Sequence, residues 1–230
     1  MLEIINYILQ TFMSIGAFYV SYLIFNRDKK YIGNKLLSSA LGLLGGYSLF
    51  LLIYKLINQE WALQIFLRIS FVSVTFSVFF LYLTIQVLTH SQQWLFTYKL
   101  RWAIPIILAA AISILLISTD WIHVENNDLV NMDYSDLQFI IFALYIAIML
   151  VYSIMRLYTG GVKKTEGNSK KRMQIFLTGL IFALLGLVME ALNSLFKGYG
   201  ELFDLLLFSC LTTANAFMSL TFLLKNLADT

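Results

Sequence analysis

The chain has 230 residues, of which 60% are hydrophobic, 16% aromatic and only 13% charged, with a formal net charge of +3 and a mean hydropathy of +0.79. A water-soluble domain carries roughly a quarter charged residues, so about half that share excludes a globular surface turned to water and points to lipid as the solvent. One proline and 12 glycines speak against a long linker, and a single cysteine, Cys210, excludes a disulfide framework.

The first apolar run, 4–25, follows Met1-Leu2-Glu3, which lacks the basic residues of a secretory signal, so it reads as a retained helix. Six further runs follow at 36–57, 62–88, 102–118, 137–157, 173–196 and 202–224. Each is close to the ~20 residues that cross a bilayer core. In lipid an open backbone has no hydrogen-bond partner, so unbroken runs of this length form helices. A β-barrel would instead alternate over ~10 residues. The expected fold is all-α: a polytopic membrane protein, one domain of residues 1–230 forming a seven-transmembrane helix bundle.

Orientation is read from the loops. The loops after the first, third and fifth spans, with the C-terminus, hold Arg27, Lys29, Lys30, Lys35, Lys99, Arg101, Arg156, Lys163, Lys164, Lys170, Lys171, Arg172 and Lys225. The opposite side has Lys55 and Lys197, and Arg68 falls inside a span. This places the N-terminus outside and the C-terminus in the cytoplasm, in a multi-pass protein of the cell membrane. The longest outer loop, 119–136, contains Asp120, Glu125, Asp128, Asp133 and Asp136 without a base, which agrees with that orientation. Trp61 and Trp121 on the outer side, and Trp94 and Trp102 on the inner side, fall at span ends, the depth that amphipathic rings favour. The stretch 90–101 reads as a short amphipathic helix lying on the inner surface, with Trp94, Leu95 and Tyr98 on its membrane face.

Ser38, Gly42 and Gly46 recur at i, i+4 and i+8 on the second span, a small-residue stripe that admits close approach of another backbone. It serves packing within the bundle or, alternatively, a homodimer. Gly16, Gly179 and Gly186 are weaker cases of the same kind.

Ionisable groups inside a span are costly, which makes each a site to weigh. Arg68 on the third span, Glu190 on the sixth and Asp204 at the start of the seventh lie at similar depth near the outer boundary, and Asn193 shares a face with Glu190. The expectation is that they converge, either as a structural ion pair or as a ligand pocket open to the outside. The seventh span is the most polar, with Ser209, Cys210, Thr212, Thr213 and Asn215, and the Asn215 amide is expected to hydrogen-bond across to another helix. His90, His123 and Cys210 are too far apart for a metal site. No G-x-S-x-G, H-E-x-x-H or Gly-rich phosphate loop is present, so neither enzymatic activity nor a cofactor is expected, and a nucleic-acid partner is not expected either. The basic segment Lys163, Lys164, Lys170, Lys171 and Arg172 reads as the longest inner loop, suited to anionic membrane lipid or to a cytoplasmic signalling protein.

Three stretches carry a resemblance: Phe66-Leu67-Arg68-Ile69-Ser70, Phe79-Phe80-Leu81-Tyr82-Leu83-Thr84, and Lys170-Lys171-Arg172-Met173 with Gly179 beyond. With the span count and loop lengths, they make the chain similar to the seven-helix N-terminal sensor region of membrane histidine kinases. That resemblance implies helices that sense a stimulus and a cytoplasmic kinase that reports it. No kinase domain follows Lys225-Asn226-Leu227-Ala228-Asp229-Thr230, so the expectation is a stand-alone receptor-like sensor. The rival expectations are a small transporter or channel, and a scaffold subunit of a membrane complex.

Overall fold

Residues 2–57, 60–118, 122–125, 129–132, 137–195 and 199–223 are described by a computed structural model, the side chains of 60, 63, 122–125, 129–132, 193–195, 222 and 223 excepted. Among these residues eight α-helices run in the order α1 (Leu2–Arg27), α2 (Ile32–Leu56), α3 (Glu60–His90), α4 (Gln93–Thr97), α5 (Lys99–Ser118), α6 (Leu137–Arg156), α7 (Gly167–Leu195) and α8 (Gly200–Leu223). All but the five-residue α4 are long and apolar enough to cross a membrane. The chain is thus a multi-pass membrane protein built as a seven-helix bundle. Connections of a few residues after α1, α2 and α7 make those neighbours antiparallel.

The first helix shows which solvent the bundle is built for. Asn6, Gln10 and Ser14 recur every fourth residue and are no more than 3% exposed, while Ile8, Phe12, Ile15 and Tyr19 on the other face are more than half exposed. A protein facing water would reverse that arrangement. The buried polar row is held by its neighbours: the Asn6 amide donates to the Glu201 carbonyl (3.0 Å), the Ser14 hydroxyl to the Gly45 carbonyl (3.2 Å), and Ser48 to the Gln10 carbonyl (2.9 Å). Helix α1 is thereby clamped between α2 and α8.

Helix α3 is the central post. It packs against α2, α5 and α6, and Leu67, Ser70, Phe71, Thr75, Phe79 and Ile85 are all buried. A helix hydrophobic on every side belongs in the middle of its bundle. The main core gathers its buried side chains with those of α2, α6, α7 and α8. A second, smaller cluster joins Met13, Leu44, Tyr47, Leu207, Phe208 and Leu211.

Pro105 lies inside α5. It has no N–H to give the Arg101 carbonyl one turn back, and the Tyr82 hydroxyl of α3 donates to that carbonyl instead, at 3.2 Å. Tyr145 of α6 donates to the Pro105 carbonyl (3.4 Å). The proline therefore sits where two tyrosines serve the backbone around it.

Several expectations change at the ends of the spans. The segment 160–172 is mostly not a loop. Helix α6 runs on through a π-helical turn, Leu157–Val162, and α7 already starts at Gly167, where φ is +58°. Its first turns carry Lys170, Lys171 and Arg172 as helix, because a helix that leaves the apolar layer keeps its own hydrogen bonds and good helix formers extend it. The stretch 90–101 contains a short helix, the five-residue α4, but its Trp94 is turned into the bundle. Ser91, at φ 109°, turns the chain after α3. Trp94 is 4% exposed, its ring 5.8 Å from that of His90, and Trp102 donates to the Leu95 carbonyl (2.9 Å). Trp94 is a packing residue. The loop 119–136 contains a hairpin that the reading of the sequence missed, β1 (Ile122–Glu125) paired antiparallel with β2 (Leu129–Met132). Trp121, Asp120, Asp128, Asp133 and Asp136 lie outside the described residues.

Candidate functional site

Five helices leave an apolar cavity of about 80 Å³ along the middle of the bundle. Leu44 and Tyr47 of α2, Phe71 and Val74 of α3, Phe142 and Ile146 of α6, Leu187 and Glu190 of α7, and Leu207 and Leu211 of α8 line it. Local packing explains why the space persists. Phe71 meets Phe142 edge-on, with centroids 5.0 Å apart and planes at 86°, so two rigid rings fix that wall. Opposite, a Cβ on Gly186 would lie 3.3 Å from Leu211, so α7 and α8 approach closely and their larger side chains turn to the cavity. A volume of this size holds several water molecules or a slender ligand.

Glu190 supplies the carboxylate in that wall, with the Tyr47 ring on α2 also lining it. Ser77 is engaged, its hydroxyl donating to the Ala40 carbonyl (2.7 Å). The arrangement can accept a hydrogen bond at one end of a ligand whose remainder is apolar, the usual balance of a small-molecule site.

Two of the residues expected to join Glu190 each reach another helix. Asp204 pairs with Lys55 at 2.7 Å, joining the end of α2 to the start of α8, and the ammonium lies 6.0 Å from the Phe208 ring. The reading of the sequence had left Lys55 as an ordinary end-of-span base. Arg68 donates to the Ile117 carbonyl near the end of α5. Asn193 is within α7, but its side chain lies outside the described residues. Asn215 accepts from Ser219 of its own helix (3.4 Å), rather than from a neighbouring one.

Ser38, Gly42 and Gly46 face inward. Ser38 and Ser21 exchange hydrogen bonds to each other's carbonyls (both 2.8 Å), a Cβ on Gly42 would lie 3.2 Å from the Ser21 hydroxyl, and Gly46 faces Phe50 and Ser73. The stripe seats α2 against α1 and α3. Lys163, Lys164, Lys170 and Lys171 are exposed, and Arg172 is half-buried.

The reading of the sequence passed over the buried row on α1. Gln10 is fully buried, and neither atom of its amide group has a hydrogen-bond partner among the described residues. Polar side chains every fourth residue in an otherwise apolar span were the available signal. Among the described residues, no three His, Cys, Asp or Glu side chains come close enough to hold a metal. No protein-family model matches this chain, and no curated protein matches it.

Proposed function

We propose that this protein is a receptor-like sensor of the cell membrane, which passes an external or in-membrane signal to a cytoplasmic partner. The observation that carries the reading is the central cavity with Glu190 in its wall. A ligand there touches α2, α3, α6, α7 and α8 together, so it acts by preferring one arrangement of these helices over another, and that differential affinity is what a receptor needs. The fitting ligand is small and slender, mostly apolar, with one hydrogen-bond donor or cationic group for the carboxylate. The similarity to seven-helix sensor regions of histidine kinases runs the same way. Under this proposal the basic end of the bundle faces the cytoplasm, where Lys163, Lys164, Lys170 and Lys171 present charge to a partner or to lipid.

The test uses straight-chain alkylamines of graded length, with the matching carboxylic acids as controls, and reads melting of the purified protein. Amines are expected to stabilise the wild type and acids not. Glu190→Gln should weaken amine binding roughly tenfold or more, the worth of a charge-assisted hydrogen bond, while the ligand-free protein melts normally. Equal response of wild type and variant removes Glu190 from the site. Amine-dependent flux across liposomes would move the reading to a transporter.

A further inference from the structure

A second cavity, about 390 Å³, opens at the basic end of the bundle, well away from the central one. Its polar wall is Arg27, Asp28, Tyr31, Asn34, Ser169, Arg172 and Thr221, contributed by the end of α1, the α1–α2 turn, the start of α2, the start of α7 and the end of α8. Leu88 of α3 and Met173 add an apolar portion.

We infer that this cavity binds the phosphate group of an anionic ligand, held between the guanidinium groups of Arg27 and Arg172. Charge decides the sign of the ligand. Among the described residues Asp28 is the one acid in the wall, and its carboxylate already accepts the backbone N–H groups of Lys30 (3.0 Å) and Tyr31 (3.2 Å), which tightens the turn. Lys29, Lys30, Lys170 and Lys171 adjoin the wall in sequence and deepen the positive field. Guanidinium forks suit phosphate oxygens, which they grip with paired hydrogen bonds.

The neutral donors are built in. Asn34 is 5% exposed although it lines the cavity, and its amide, one N–H of which is given to the Asp28 carbonyl (3.4 Å), has a second to offer. Tyr31 is folded back over the first turn of α2. A Cβ at Gly33 would come within 2.5 Å of the Tyr31 ring, so glycine there is what allows the ring to lie across the cavity wall. The Tyr31 phenol is protonated at neutral pH, as any phenol is, and burial pushes it further up. The volume, enough for on the order of ten waters, exceeds one phosphate and leaves room for an attached group against Leu88 and Met173. A phosphate in this place ties the α1–α2 pair to the α7–α8 pair. The inference stands independently of the central cavity.

The ligand's source is either a lipid headgroup or a soluble phosphate, and two arms separate them. Detergent-purified full-length protein is titrated with inorganic phosphate against chloride at matched ionic strength, and separately with dioleoylphosphatidylglycerol against dioleoylphosphatidylcholine in mixed micelles. Melting and native mass spectrometry are the readouts. Saturable binding in either arm supports the site and names the source. Arg27→Gln and Arg172→Gln should each weaken binding roughly tenfold or more, and Arg172→Lys, a milder change that keeps the charge, should weaken it less. Lys99→Gln removes the same single charge at an exposed position outside the cavity and should leave binding unchanged. Loss in that control equal to the loss in the arginine variants, or no saturable binding in either arm, overturns the inference.

Discussion

A backbone carbonyl that loses its helical partner needs another donor, and the one made by Pro105 shows how a single residue meets that need. The proline deprives the Arg101 carbonyl of its helical partner, and Tyr82 of α3 supplies the replacement. Removing the tyrosine hydroxyl should cost about 0.5–1.5 kcal/mol, the net worth of a part-buried hydrogen bond. Restoring the helical N–H should remove the dependence. Tyr82→Phe is therefore expected to destabilise the wild type clearly and Pro105→Ala only slightly, and in the double variant the tyrosine change should cost a few tenths of a kcal/mol at most. Denaturation of the four proteins in mixed micelles closes the cycle. Additive losses would show that the Tyr82 bond serves some other purpose. Nothing in the sequence around Pro105 or Tyr82 announces this bond, since 23 positions separate the two in the chain. Glu190 is the contrary case. An acid in an apolar run is conspicuous, and it lines the central cavity. The ion pair of Asp204 with Lys55 is not legible in the same way, because a sequence shows charge and depth while rotation about each helix axis is not written in it.

At the scale of the helix, close approach is decided by what a glycine faces. The spacing of Ser38, Gly42 and Gly46 is the clearest in the sequence, and the stripe does pack inward. The tightest approach of one helix to another at a glycine lies elsewhere. A Cβ on Gly179 would sit 2.8 Å from Met218 and 3.0 Å from the Ala214 carbonyl, so α7 rests almost directly on the backbone of α8. Gly16 has nothing within 4 Å. Spacing alone cannot rank these, because the facing residue belongs to another part of the chain. Gly179→Ala should then force α7 and α8 apart and lower stability by about 1–3 kcal/mol, the usual cost of overpacking. Gly16→Ala should be neutral or slightly stabilising, since alanine is the better helix former. Comparable losses in the two variants, measured by thermal melting, would mean that α7–α8 contact has slack that the geometry does not suggest. The ends of the elements were the least legible part. Hydropathy reports where the apolar layer stops, and the helices go on past it, as the lysines of α7 do.

For the molecule as a whole, the seven spans were readable because the medium leaves so little choice: each long apolar run had to become a helix. The same reasoning extends to orientation through charge. Thirteen of the 16 lysines and arginines belong to the segments after the first, third and fifth spans or to the C-terminal tail, and the membrane potential and the anionic inner leaflet both favour keeping such segments in the cytoplasm. Labelling can decide it. In a background where Cys210 is replaced by alanine, Lys164→Cys puts a thiol at an exposed position of the basic end. Tyr199→Cys puts one at the opposite end, where the native side chain is 63% exposed. A membrane-impermeant maleimide should label position 199 on intact cells and position 164 only after lysis. The reverse pattern would turn the bundle over. The central cavity would keep its geometry, but the two arginines of the second cavity would then face away from the anionic leaflet, leaving soluble phosphate rather than lipid as the ligand they could meet.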